Sequence, residues 1–321
     1  MNQDRNPYRY QYSHGTYRRR RPEPKKRKSS KLFAVMTILV MLAAGWFILK
    51  PNEAVSNLAN NVTKKEQKKP EPPKPTLDKT LQAKLSAWAS EQDGDFGIAV
   101  REITGKMRYA SYQANKPFVP ASTFKPFVAY MVLHNVEQGQ YTLQGRTYKG
   151  NSLEYCLERM ITVSDNQCAY ELERLIGFPE MNEFIQSKGF TNTDLNNYDA
   201  SGRMLATDKS STAGDLAELM WRLKKGELLN QEHTTYLIDL MKGQQWRERI
   251  PAGVPEGIEV ADKPGWLPGI ECDMAIVYGK DSTYVLTIVS TGARQSDLAN
   301  LSTFVYEYLN PTSSATISEE E

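Results

Sequence analysis

A hydroxyl and an amine stand three residues apart in Pro120-Ala-Ser122-Thr-Phe-Lys125-Pro-Phe, at the mouth of an apolar run that continues to Leu133. On a helix that offset places both side chains on one face, about one turn apart, so the Lys125 amine can reach the Ser122 hydroxyl. The first turn of a helix also carries unpaired backbone N–H groups and the positive end of its dipole, which stabilise negative charge on an attacked carbonyl oxygen. The chemistry this suggests is nucleophilic attack by Ser122 with Lys125 as its base, although an ordinary helix cap and a surface lysine would satisfy the same two letters. Two more stretches bear on that choice. Ser164-Asp165-Asn166 offers a second hydroxyl to relay a proton and an amide to hold a substrate carbonyl, at a place where one helix ends and another starts. Asp262-Lys263-Pro264-Gly265-Trp266 offers a cation for a substrate carboxylate, a like charge that would lower the pKa of Lys125, and a glycine that permits close backbone approach.

The elements that must position these groups follow from hydrophobic periodicity. Leu77 to Gln92 carries Leu81, Leu85, Trp88 and Ala89 at helical spacing, and Phe96–Ile103 and Met107–Tyr112 alternate as two strands around a turn at Thr104-Gly105. The Ser122 helix runs to about Val136. Helices are expected from about Asn151 to Gly177 and on past Met181, and again from Ala213 to Leu229. Ile258–Gly265, Asp273–Tyr278 and Tyr284–Thr291 read as strands, and Asp297–Leu309 as a closing helix. Strands from both ends of the chain must share one sheet while the helical middle stands to one side, an α+β arrangement.

Charge is distributed unevenly over the 321 residues, although the net is only +2. Residues 1–31 hold 11 Lys+Arg against 2 Asp+Glu, whereas from Thr76 onward the count is 23 against 33, a difference of −10. The basic excess therefore belongs to the tail and not to the main domain. Directly after it, Leu32–Leu49 is an uncharged run of 18 residues, long enough for a membrane-spanning helix; a cleaved signal peptide is the competing reading, which the length of the run disfavours. The Lys/Arg cluster before it orients the N-terminus to the cytoplasm, so the tail needs no nucleic acid to explain it and the body of the protein is expected outside. Residues 50–75 are rich in Lys, Glu, Asn and Pro and read as a disordered linker, as does the polar tail 311–321. The folded domain is thus expected over 76–310.

Other chemistries find little support. His14, His134 and His233 stand in unrelated segments, no His/Cys spacing suggests zinc, and no Gly-rich loop suggests a phosphate cradle, so no cofactor and no metal are expected. Cys156 and Cys168 flank the Ser-Asp-Asn stretch and could pair in an exported protein, leaving Cys272 in a strand.

In order and in surroundings, the Ser-x-x-Lys, Ser-Asp-Asn and Lys-Pro-Gly stretches resemble the Ser-x-x-Lys, Ser-Asp-Asn and Lys-Thr-Gly elements of class A β-lactamases and penicillin-binding proteins. The resemblance spans about Thr76 to Pro311. It implies a five-stranded antiparallel sheet packed with helices plus an all-helical subdomain, with an active site between them, in a monomeric domain. It further implies that Ser122 is acylated, that Lys125 is its base, and that Ser164 passes the proton. By the same likeness Asn166 and Lys263 bind substrate, beside Gly265, and the N–H groups of Ser122 and Trp266 form an oxyanion hole. The implied substrate is a β-lactam or a D-Ala-D-Ala-like peptidoglycan stem peptide. Alternatives are a penicillin-binding carboxypeptidase or transpeptidase with the same acylation machinery, and an inactive wall-binding module.

Two departures from the family pattern stand out. Pro264 replaces the threonine whose hydroxyl would help hold a carboxylate, and Arg294 is a candidate substitute for it. The family's deacylating glutamate has no counterpart in Thr193–Arg203, where Asp199 is the nearest carboxylate. Without such a base, acylation would be fast and release slow.

Overall fold

The computed structural model describes residues 75–195 and 209–311. The basic tail, the uncharged run and nearly all of the linker lie outside that range, as do Asp199 and the C-terminal tail.

Thr76–Leu77 forms β1, and Lys79–Ser90 forms α1, started by the Asp78 side chain accepting from the Leu81 N–H at 2.9 Å. Asp95–Glu102 and Arg108–Tyr112 are β2 and β3. A 3₁₀ turn, Ala121–Phe124, leads directly into α2, Lys125–Glu137, where Pro126 is tolerated because first-turn N–H groups have no intrahelical partner. Next come α3 (Leu153–Thr162), α4 (Asn166–Ile176), α5 (Phe178–Ser187), α6 (Ala213–Lys224) and α7 (Gln231–Lys242). Val260–Leu267, Ile270–Tyr278 and Thr283–Thr291 form β4, β5 and β6, and Gln295–Leu309 closes the chain as α8.

The strands make one sheet in the order β1-β3-β2-β6-β5-β4. The expected five antiparallel strands are therefore joined by a sixth that runs parallel to β3, with Thr76 beside Arg108 and Leu77 beside Tyr109. Two residues are too few to show alternation, so this strand was invisible to periodicity. Helix α7 was also unanticipated: its buried positions include His233 and Thr234 beside Leu237, Ile238 and Met241, a weak apolar stripe.

Alternating strand residues feed two cores. Cys272, Met274 and Ile276 of β5 face the helical layer around α2, while Ala275 and Val277 face α1 and α8 with Leu81, Leu85, Leu298 and Leu301. Helix α2 is buried on every side from Lys125 to Leu133, as expected of a helix that is apolar all round. Helices α3, α4, α5 and α7 pack against it.

Among the described residues β4 pairs only with β5, so its other edge carries no strand. This explains how Pro264 can sit within a strand that continues to Leu267, two residues past the expected end at Gly265: an edge position requires no ladder N–H.

Candidate active site

Ser122 is half-buried in the 3₁₀ turn, one residue after Ala121, which has φ of +45°. The turn is held by Thr123, whose N–H and Oγ1 both donate to the Pro120 carbonyl, at 3.0 and 2.6 Å. In 3₁₀ geometry residues i and i+3 lie one above the other, so Ser122 and Lys125 share a face. The Lys125 amine, in a fully buried side chain, donates to the Ser164 carbonyl at 2.6 Å, to Ser164 Oγ at 3.1 Å and to Asn166 Oδ1 at 2.7 Å. Two stretches some forty residues apart in sequence are thus joined through one nitrogen.

The Ser164-Asp165-Asn166 segment turns sharply between α3 and α4. Asp165 caps α4 by accepting from the Cys168 N–H at 2.9 Å, which leaves Asn166 as its first residue and Ser164 at φ +60°, a conformation L-residues seldom adopt. Strain of this kind persists only where neighbours enforce it, and here both lysines do. Lys263 Nζ donates to Ser164 Oγ at 2.9 Å and to the Pro264 carbonyl at 2.9 Å. With two amines donating to its oxygen, the Ser164 hydroxyl keeps its own proton available for a third partner in the cleft.

Gly265 sets the distance between β4 and the nucleophile turn. A Cβ built on it would lie 2.5 Å from the Ser122 nitrogen and 2.9 Å from both the Pro120 oxygen and the Thr123 nitrogen. Only glycine lets the strand approach so closely. Trp266 follows, 40% exposed, with its ring edge-on to Trp246 at 5.9 Å and the Arg249 guanidinium 4.8 Å from its centroid.

Burial lowers the Lys125 pKa to about 7, and the positive charge of Lys209 lowers it too, while Asp165 and Glu173 pull it upward. Lys263 is held well below the ordinary lysine value, first by burial and then by Lys125. Desolvation leads for both amines, Lys209 adds to the lowering of Lys125, and Lys125 and Lys263, meeting on one oxygen, each disfavour the other's charge.

Beneath β4 and β5 lies a second charged layer. Asp262 and Asp273 are both fully buried; Arg247 donates to Asp262 at 2.5 Å, and Asp273 accepts from the Ile250 N–H at 3.0 Å. Burial pushes Asp273 up to about 7, and burial together with the Asp273 charge raises Asp262 well above the carboxylate range. Arg249, itself buried, donates to Glu271 at 2.7 Å.

Of the expected site residues, Ser122, Asn166 and Trp266 line one cleft; Lys125 bonds Ser164 and Asn166, Lys263 bonds Ser164, and Gly265 packs against the Ser122 nitrogen. Asp199 lies outside the described residues. Arg294 is an exposed surface arginine that pairs with Asp297 at 3.0 Å at the start of α8. Cys156 and Cys168 are buried free thiols, and Cys272 is a buried strand residue as expected. Among the described residues no cluster of three or more His, Cys, Asp or Glu could hold a metal.

Two cleft residues escaped the sequence reading. Glu173 and Lys209 line the cleft with Ser122, Phe124, Asn166, Ala169 and Tyr170, and they form a buried ion pair with each other. Glu173 had a visible signal, since 166, 169, 170 and 173 form an i, i+3, i+4, i+7 stripe on α4. Lys209 had none.

A profile of the "Beta-lactamase enzyme family" matches residues 79–309. Beta-lactamase SME-1 of Serratia marcescens is 26% identical over 234 residues, 64% of this chain and 80% of its own length. An imipenem-hydrolyzing beta-lactamase of Enterobacter cloacae is 28% identical over 231 residues, 64% of this chain and 79% of that one. Among solved structures, PBP-A superposes with a TM-score of 0.68 at 22% identity, covering 74% of this chain and 98% of that one. An ancestral class A beta-lactamase superposes with a TM-score of 0.64 at 25% identity, covering 71% and 99%.

Proposed function

The chain belongs to the β-lactamase enzyme family, and we propose that it is a membrane-anchored serine hydrolase that opens a β-lactam amide through an acyl-enzyme on Ser122. One observation carries this reading: the Lys125 and Lys263 amines, from elements 138 positions apart in the chain, meet on the same Ser164 Oγ at 3.1 and 2.9 Å, with Gly265 packed against the Ser122 N–H.

The steps follow from that geometry. Three oxygen acceptors match the three N–H bonds of protonated Lys125; with a pKa of about 7 it sheds one proton near neutral pH, and the freed lone pair takes the proton of Ser122. Ser122 Oγ attacks the amide carbonyl, and the oxyanion is held by the backbone N–H groups of Ser122 and Trp266. Removing one such donor costs about 3 to 4 kcal/mol of transition-state stabilisation in comparable sites. Ser164, its oxygen occupied by two amines, gives its proton to the departing nitrogen. Asn166 orients the substrate and Lys263 draws its carboxylate.

The uncharged run Leu32–Leu49 behind its basic cluster supports a single-pass anchor with a cytoplasmic N-terminus and an extracytoplasmic catalytic domain. A second reading, a penicillin-binding carboxypeptidase or transpeptidase acting on D-Ala-D-Ala stem peptides, is favoured by the lack of a glutamate in 193–203. Turnover of a chromogenic cephalosporin by the purified chain, with Ser122→Ala as control, tests both. Sustained, Ser122-dependent turnover supports the lactamase, a covalent label that persists for hours supports the second reading, and neither in the wild type defeats both.

A further inference from the structure

Glu173 is the one carboxylate among the described residues that line the cleft with Ser122. It sits seven residues after Asn166 on α4, so both lie on the same helix face, about 10 Å apart along the axis at 1.5 Å per residue. Helical side chains lean toward the N-terminus, which carries the Glu173 carboxylate back toward the Ser164–Asn166 end of the helix, on the wall of the cleft that Ser122 also lines. Ala169, one turn before it on the same face, is small, and the cleft encloses about 290 Å³, room for several waters beside the nucleophile. Glu173 is 3% exposed, and its Oε1 accepts from Lys209 Nζ. Lys209 is 6% exposed, and its nitrogen sits 3.6 Å from the Phe124 ring centroid, between Ser122 and Lys125 in sequence. An ion pair bordering the nucleophile is costly to bury and does not improve the core.

We infer that Glu173 is the base that activates water for deacylation, with Lys209 as the positioning residue that holds its carboxylate toward Ser122. This rests on the acyl-enzyme reading above. In the step, a cleft water forms a bond from its oxygen to the ester carbonyl carbon on Ser122 while one of its protons passes to Glu173. The carbonyl electron pair becomes the oxyanion; its collapse re-forms the carbonyl and breaks the bond to Ser122 Oγ. Ser122 takes up a proton as it leaves, Glu173 returns to its carboxylate, and the product departs as a carboxylic acid. The glutamate absent from 193–203 is thereby replaced from another element, helix α4.

The test uses the full-length chain in detergent at pH 8, with stopped-flow hydrolysis of a chromogenic cephalosporin and intact-protein mass spectrometry of the penicillin adduct. Glu173→Gln is expected to acylate within threefold of wild type, which also shows that the cleft is folded, and to deacylate at least 100-fold more slowly. Lys209→Met is expected to acylate and to deacylate at least tenfold more slowly, and Glu173→Asp to recover part of the deacylation rate. Wild-type deacylation in Glu173→Gln, equal losses in both steps, or loss of deacylation in Asp199→Asn with none in Glu173→Gln would each overturn the inference while leaving the acyl-enzyme intact. A wild-type chain that forms no Ser122 adduct overturns the acyl-enzyme reading and this inference with it.

Discussion

Acylation should accelerate about tenfold between pH 6 and pH 8, because only the neutral amine of Lys125 can take the Ser122 proton. With a pKa of about 7, roughly one Lys125 in eleven is neutral at pH 6 and roughly ten in eleven at pH 8. The sign follows from burial: taking the ammonium out of water disfavours its charged form, so the base form appears more than three pH units earlier than in an exposed lysine. Two substitutions should move the inflection in opposite directions. Lys209→Met removes a cation that lowers the Lys125 pKa and unmasks Glu173, which raises it, so both effects shift the midpoint upward. Glu173→Gln removes the carboxylate and leaves Lys209 unopposed, so both shift it downward. Fluorescent-penicillin labelling, followed as a pseudo-first-order rate well below saturation from pH 5.5 to 9, measures all three curves. A rate unchanged across pH 6 to 8, or midpoints that move the same way in the two variants, refutes the assignment of Lys125 as the base.

Gly265→Ala should slow acylation about 100-fold, since a Cβ at 2.5 Å from the Ser122 nitrogen must push β4 off the nucleophile turn, and displacements of about 1 Å at a reacting centre cost that much; a wild-type labelling rate would contradict it. Pro264→Thr should lower the half-saturating β-lactam concentration about tenfold by restoring a hydroxyl that hydrogen-bonds a carboxylate, with little change in the maximal labelling rate. Asp273 has a folded pKa raised to about 7, above its unfolded value, so its contribution to stability is present at low pH and lost as pH rises through about 7. Urea unfolding of Asp273→Asn should therefore show the variant gaining on wild type between pH 5 and 8. Removing residues 1–49 should release the penicillin-labelled protein from the membrane fraction of expressing cells without loss of label.

Much of this molecule is local in origin. The Ser122–Lys125 spacing and the Asp165 cap that fixes Ser164 and Asn166 arise from interactions spanning a few residues, and such interactions can be read directly from residue order. The three short stretches were enough to indicate the chemistry, and the stripe from Asn166 to Glu173 was available to the same reasoning. What residue order could not settle was anything decided by partners brought from far along the chain. The two-residue β1 exists only because β3 is there to pair with it. The pKa of Lys125 is set by how completely folding removes its surroundings from water, and by Lys209, 84 positions away in the chain. Lys209 looked like any other lysine until the fold buried it against Glu173 and Phe124, because burial and charge pairing depend on the whole chain at once and leave no mark on any single stretch.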